Sequence, residues 1–244
     1  MHVPGRITTP LLTAPLLTTP LLTMVLLIGL VLTAPAVRTT HYDTMAAGSP
    51  LTRIAVIGDS YTNGTAIGGQ GANAWPSLAW KSLARRGLPV LADVAAEGRA
   101  GYGVRGDQGN LFIDLTPRAV KPDDALIVFY GSRNDQGLDP MVLSGKIFDN
   151  FSLARHIAPH ARLLVIGPPW PTSEVPPAVL QIRDALSFQS MLAGATFIDP
   201  IAAGWFMDRP DLIGPDGVHP TDAGHAYMAD KIAPLIGDQL SRRF

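Results

Sequence analysis

Ser60, Asp216 and His219 are the residues of this chain whose types and spacing can do chemistry together. A serine hydroxyl is a poor nucleophile until an imidazole takes its proton, and the imidazole works best when a carboxylate fixes its tautomer. Asp216 and His219 stand three residues apart in Asp216-Gly217-Val218-His219-Pro220, which suits a short turn holding both side chains on one side. Nucleophilic attack on an acyl carbon also needs donors for the developing oxyanion. A glycine backbone N–H at Gly98, the Ser60 N–H and the side-chain amide of Asn134 can supply them.

These residues need a scaffold that brings distant segments to one edge. From Leu51 onward the chain alternates short apolar runs with longer amphipathic ones. Strands are predicted over Arg53–Ile57, Val90–Ala95, Ala125–Tyr130, Arg162–Ile166 and Thr196–Ile198. Helices are predicted over Ala74–Arg86, Met141–His160 and Val179–Leu192, with a further one around Gln108–Leu115. The last helix follows Pro220, with Thr221 as N-cap and Asp222 in the first turn, and runs to about Leu240. Near-continuous apolar strands separated by helices predict one three-layer α/β/α domain around a parallel sheet of about five strands. In such sheets the site lies beyond the carboxyl ends of the strands, and Ser60, Gly98, Asn134 and His219 all fall in segments placed there.

With the residues in place, the chain resembles the SGNH hydrolases, the GDSL-type esterases and lipases. Gly58-Asp59-Ser60 matches their first block and Asp216 to His219 their last, in the same order, over a stretch from Ile54 to about Tyr227. Gly98 and Asn134 match the oxyanion glycine and asparagine of the middle blocks. The resemblance implies a flavodoxin-like fold and hydrolysis of acyl esters with no metal and no cofactor. Two departures stand out. The third block usually reads GxND, whereas Gly131-Ser132-Arg133-Asn134-Asp135 has an extra residue before the asparagine. The second block often carries an asparagine upstream of its glycine, where this chain has Asp93. Gly98, Gly101 and Gly103 compete for the donor role, and spacing from the strand favours Gly98.

Other readings are weaker. Neither GxxxxGK[ST] nor GxGxxG follows the first strand, so a phosphate loop fails on spacing. Asp59 reads as a turn stabiliser, and Trp170 either as a pocket wall or as an anchor for its proline-rich loop. Arg133 and Tyr102 are near the site by position only. The histidines do not cluster as metal ligands, and the absence of cysteine excludes thiol nucleophiles and disulfides.

Composition bounds the rest. Hydrophobic residues make up 47%, enough for one large core, and 19 basic against 20 acidic residues give no electrostatic case for nucleic acid. Residues 1–36 differ from the remainder: no charge lies between Arg6 and Arg38, and the phrase PLLT recurs at Pro10, Pro15 and Pro20. The apolar run Leu21–Leu32 followed by Ala34-Pro35-Ala36 reads as an export signal, with an N-terminal anchor as the alternative. Residues 37–50 read as a linker and 51–244 as the hydrolase domain. The expectation is an exported protein, secreted or held at the cell envelope through its N-terminus. Its substrate would be a small acyl ester or lipid, of short to medium chain since no insertion suggests a lid. Two other functions stay open at this point: O-deacetylation of carbohydrate on the same scaffold, and a surface binding protein with a degenerate site. Oligomeric state is not legible.

Overall fold

The computed structural model describes residues 40–43 and 51–241. Strands β1 (Thr40–Asp43), β2 (Thr52–Gly58), β3 (Val90–Ala96), β4 (Leu126–Tyr130), β5 (Arg162–Ile166) and β6 (Thr196–Ile198) form one sheet in the order β1-β3-β2-β4-β5-β6. β2 to β6 are parallel, with Ile54 opposite Ala92 on one side and Leu126 on the other. The chain builds outward from β2 to β3, then crosses to β4 on its opposite side. That is the flavodoxin-like order, and it opens a crevice between β2 and β4 at their carboxyl ends.

β1 pairs antiparallel with β3, Thr40 opposite Val94 and Asp43 opposite Leu91. It lies in the segment that composition reads as a linker. A four-residue strand carries too little pattern of its own, and the edge of β3 supplies its position. The export segment 1–36 and most of residues 37–50 lie outside the described residues.

Alternation along the strands loads both faces of the sheet. Ile54, Val56, Leu126, Val128 and Leu164 face α2 (Trp75–Arg85) and α6 (Asp222–Ser241), meeting Trp75, Trp80, Leu83, Met228, Ile232 and Ile236. Ala55, Ile57, Ile127, Phe129 and Val165 face α3 (Phe112–Ala119), α4 (Pro140–Ile157) and α5 (Pro177–Leu192), meeting Phe112, Leu115, Ile147, Phe151 and Leu186. Burying each large side chain contributes roughly 1.5–3 kcal/mol, so the two cores hold the sheet from both sides. No helix among the described residues is long and apolar enough to cross a membrane.

Two helix boundaries differ from expectation. α3 begins at Phe112 rather than near Gln108, because the preceding residues serve a buried carboxylate instead. Glu97 accepts the Gln108 N–H (2.6 Å) and the Asn110 side-chain amide (2.5 Å). α4 ends at Ile157 rather than His160, since Pro159 disfavours helical backbone at Ala158.

Candidate active site

The strand that delivers Ser60 ends in a turn built by its neighbours. Asp59 caps α1 (Ser60–Asn63), its Oδ1 accepting the Tyr61 N–H at 2.9 Å. Gly58 is required by close approach: a Cβ there would lie 2.1 Å from Thr62 Oγ1. Ser60 opens the helix, 7% exposed at the carboxyl end of β2. Burial raises the Asp59 carboxyl to about 6, against the opposing pull of the Tyr61 N–H.

The second contribution arrives from the loop before α6. The Gly214 N–H donates to the His219 carbonyl at 2.8 Å, folding residues 214–219 into a tight turn. Asp216 Oδ1 accepts the N–H groups of Val218 (2.9 Å) and His219 (3.0 Å), and Oδ2 faces His219 Nδ1 at 2.6 Å. His219 Nε2 then stands 3.1 Å from Ser60 Oγ. Partial burial opposes charge on Asp216, but the His219 ring and the two backbone donors outweigh it and hold the carboxyl near 2. Behind the turn, Thr221 Oγ1 accepts the Gly224 N–H at 3.2 Å, capping α6 as its position predicts.

The three glycine candidates separate by where their N–H groups go. Gly101 donates to the Val104 carbonyl (2.8 Å) and Gly103 to Asp135 Oδ1 (2.9 Å). The N–H groups of Gly98 and Ser60 have no acceptor among the described residues.

The extra residue of the third block is absorbed by Ser132. It is fully buried, donates to the Ala100 carbonyl (2.9 Å) and accepts the Asn134 N–H (3.0 Å) at the start of a single 3₁₀ turn, Arg133–Asp135. Asn134 Nδ2 donates to the same carbonyl (3.0 Å) and makes a long contact with Asp59 Oδ2 (3.4 Å), which places the amide beside the Ser60 turn. Asp135 accepts the N–H groups of Tyr102, Gly103 and Val104 (2.9, 2.9 and 3.1 Å), tying the glycine loop to the Asn134 loop.

The structure thus brings Ser60, His219, Asp216 and Asn134 together, with Gly98 on the adjoining strand end. Asp93 is not with them; it lies within β3 and forms an ion pair with Arg53 at 2.5 Å. Sequence reasoning assigned no role to Tyr61, whose hydroxyl donates to the Val218 carbonyl, or to Arg133, whose guanidinium lies 4.3 Å from the Trp170 ring centre. Neither pairing has a local signature, because each joins residues from separate loops. Among the described residues, no group of three or more His, Cys, Asp or Glu is placed to hold a metal ion.

A hydrogen-bonded series of serine, imidazole and carboxylate at the carboxyl edge of a parallel sheet is equipped for acyl transfer, and it defines a class of α/β hydrolytic enzymes. Residues 56–227 match the GDSL-like lipase/acylhydrolase family, and the chain belongs to that family. It is 59% identical over 216 residues to a GDSL lipase of Mycobacterium tuberculosis, covering 87% of this chain and 93% of that relative. The fold is shared with a carbohydrate esterase family 2 enzyme of Corynascus thermopiles (Myceliophthora fergusii), which carries a carbohydrate-binding domain. That match has 20% identity and a TM-score of 0.62, over 82% of this chain and 69% of the other. It is shared also with the psychrotrophic esterase EstA from Pseudoalteromonas sp., at 16% identity and a TM-score of 0.60, over 78% and 100%. By family, the protein is a carboxylic ester hydrolase.

Proposed function

We propose that the protein is an exported serine esterase that cleaves acyl esters through an acyl-enzyme on Ser60. The observation that carries this reading is the unbroken series from Ser60 Oγ through His219 to Asp216, at 3.1 and 2.6 Å. With Nδ1 donating to Asp216, Nε2 is the acceptor that faces the serine hydroxyl. Ser60 Oγ attacks the acyl carbon as its proton passes to Nε2. The ester C–O bond then breaks, and the alcohol leaves with that proton. Water attacks the acyl-enzyme, gives a proton to Nε2 in turn, and the acid departs as Ser60 recovers its hydrogen.

The tetrahedral oxygen takes its donors from the Ser60 and Gly98 N–H groups and from Asn134. The two backbone groups support this role because they have no other acceptor among the described residues. Asn134 supports it with one N–H committed to Ala100 and the other only loosely held by Asp59, free to turn to a stronger acceptor. The acyl chain is short to medium, and the apolar N-terminal segment carries the export signal.

Labelling with a fluorophosphonate tests the reading. Phosphorus bonds to Ser60 Oγ as fluoride leaves and the hydroxyl proton is lost, so the peptide carrying Ser60 gains the reagent's mass less that of HF. A native protein that takes no label contradicts the proposal, and so does one labelled at another residue.

A further inference from the structure

Arg133 has a different environment from five of the other arginines. Arg53, Arg99, Arg105, Arg183 and Arg209 each have an aspartate at 2.5 to 3.8 Å. Arg133 forms no ion pair among the described residues, and its Nη1 is buried without an acceptor. The groups that face it are the Tyr61 hydroxyl and, more distantly, the Asp59 carboxyl. A guanidinium partly withdrawn from water without a counter-ion is costly. Such a cost is met where the fork receives a carboxylate or phosphate from outside.

The guanidinium is also held ready. It stacks 4.3 Å over Trp170, and the Trp170 N–H donates to Thr172 Oγ1 at 3.1 Å, which fixes the ring. Beyond Trp170, an open groove of about 360 Å³ runs between Pro171–Ser173 and the Gly214–Gly217 turn that carries Asp216. The stacked pair adjoins both this groove and the site through the chain: Trp170 precedes the Pro171 wall of the groove, and Arg133 precedes Asn134.

We propose that Arg133, seated over the Trp170 ring, is a specificity-determining residue that binds an anionic group of the substrate, so that esters bearing a carboxylate or phosphate are preferred over neutral ones of the same size. The proposal rests on Ser60 being the nucleophile.

Two matched pairs test it and separate the sources of the charge. Mono-4-nitrophenyl adipate against 4-nitrophenyl hexanoate places a carboxylate on the acyl side. Acetylglycerol phosphate against acetylglycerol places a phosphate on the alcohol side. In at least one pair the wild type favours the anionic ester in kcat/KM by about ten- to hundredfold, the range of a charge-assisted hydrogen bond. Arg133→Gln brings that ratio to within about threefold of unity, and Arg133→Lys, with charge but no planar fork, falls between. The fluorophosphonate label reports whether each variant retains a folded site; should Arg133→Gln lose it, the Lys variant decides by the same ratio. A wild-type ratio near one in both pairs overturns the proposal, as does a ratio unchanged by substitution. Failure to hydrolyse any of the four esters, with no label taken, counts against the Ser60 reading instead.

Discussion

Tyr61, the residue after Ser60, donates its hydroxyl to the carbonyl of Val218, the residue before His219. One hydrogen bond thus clamps the two loops whose side chains must meet at 3.1 Å. Burial pushes the Tyr61 hydroxyl up to about 12, so it remains a donor across the working pH range. Tyr61→Phe leaves the carbonyl without its partner and loosens the approach of His219 to Ser60. We expect kcat to fall by about three- to thirtyfold with little change in KM, since a small misplacement of a catalytic group is costly. Steady-state kinetics that show a wild-type kcat would remove the clamp from the account.

Asp216 is held near 2, so it stays ionised wherever the enzyme works. Mild acidification therefore leaves the Asp216 carboxylate in its ionised form. Asp216→Asn keeps the shape but removes the charge that stabilises the imidazolium and fixes its tautomer. The expected loss in kcat is roughly 10³- to 10⁴-fold. A loss of less than tenfold would show that the 2.6 Å contact does not serve catalysis.

Asn134→Ala removes the side-chain donor to the oxyanion, with an expected loss of about 10²- to 10³-fold in kcat. The informative comparison is an acetate-like substrate against a transition-state-mimicking boronate. Binding of the boronate should weaken more than KM rises. Equal weakening would mean that Asn134 holds the loop and not the reacting oxygen.

Gly131 links β4 to the Asn134 turn with φ of +111°, and a Cβ there would lie 2.7 Å from Asp59 Oδ2. Gly131→Ala meets both the left-handed backbone and the crowded carboxylate. The expected destabilisation is about 1–3 kcal/mol, read from the urea midpoint. An unchanged midpoint would contradict the close approach.

Asp59 makes stability depend on pH. Its carboxyl titrates at about 6 in the folded chain against 3.8 unfolded, chiefly through burial. Between these values the folded state keeps a proton that the unfolded state releases. The contribution of this group to stability is therefore full below about pH 4, declines as pH rises to about 6, and is flat above. Asp59→Asn keeps a capping side chain without the charge. Its stability relative to wild type should improve by about 2–3 kcal/mol from pH 4 to pH 7. Asp124, also raised to about 6 by burial, is common to both proteins and cancels. A difference independent of pH would exclude a raised Asp59.

How far these relationships could be read in advance depends on how local they are. Strands β2 to β5 were legible because a strand buried on both faces needs a near-continuous apolar run, as in Ile54–Ile57. Ser60 and the Asp216–His219 pair were legible because each sits in a short block with a glycine turn. β1 was not, since its position comes from the edge of β3. The choice among Gly98, Gly101 and Gly103 needed the destinations of their N–H groups, which depend on Asp135 and on Val104. The lengthened third block could be judged only once buried Ser132 was seen to take up the extra residue. Arg133 and Trp170 follow different strands, and nothing local to either forecasts their stacking.

The central claim is that Ser60 forms the acyl-enzyme, and the most direct measurement is hydrolysis of 4-nitrophenyl butyrate by purified wild-type and Ser60→Ala proteins. The account predicts that kcat/KM falls by roughly 10⁴- to 10⁶-fold in the variant while its circular dichroism stays native. A natively folded Ser60→Ala protein that turns over the ester at the wild-type rate would contradict it.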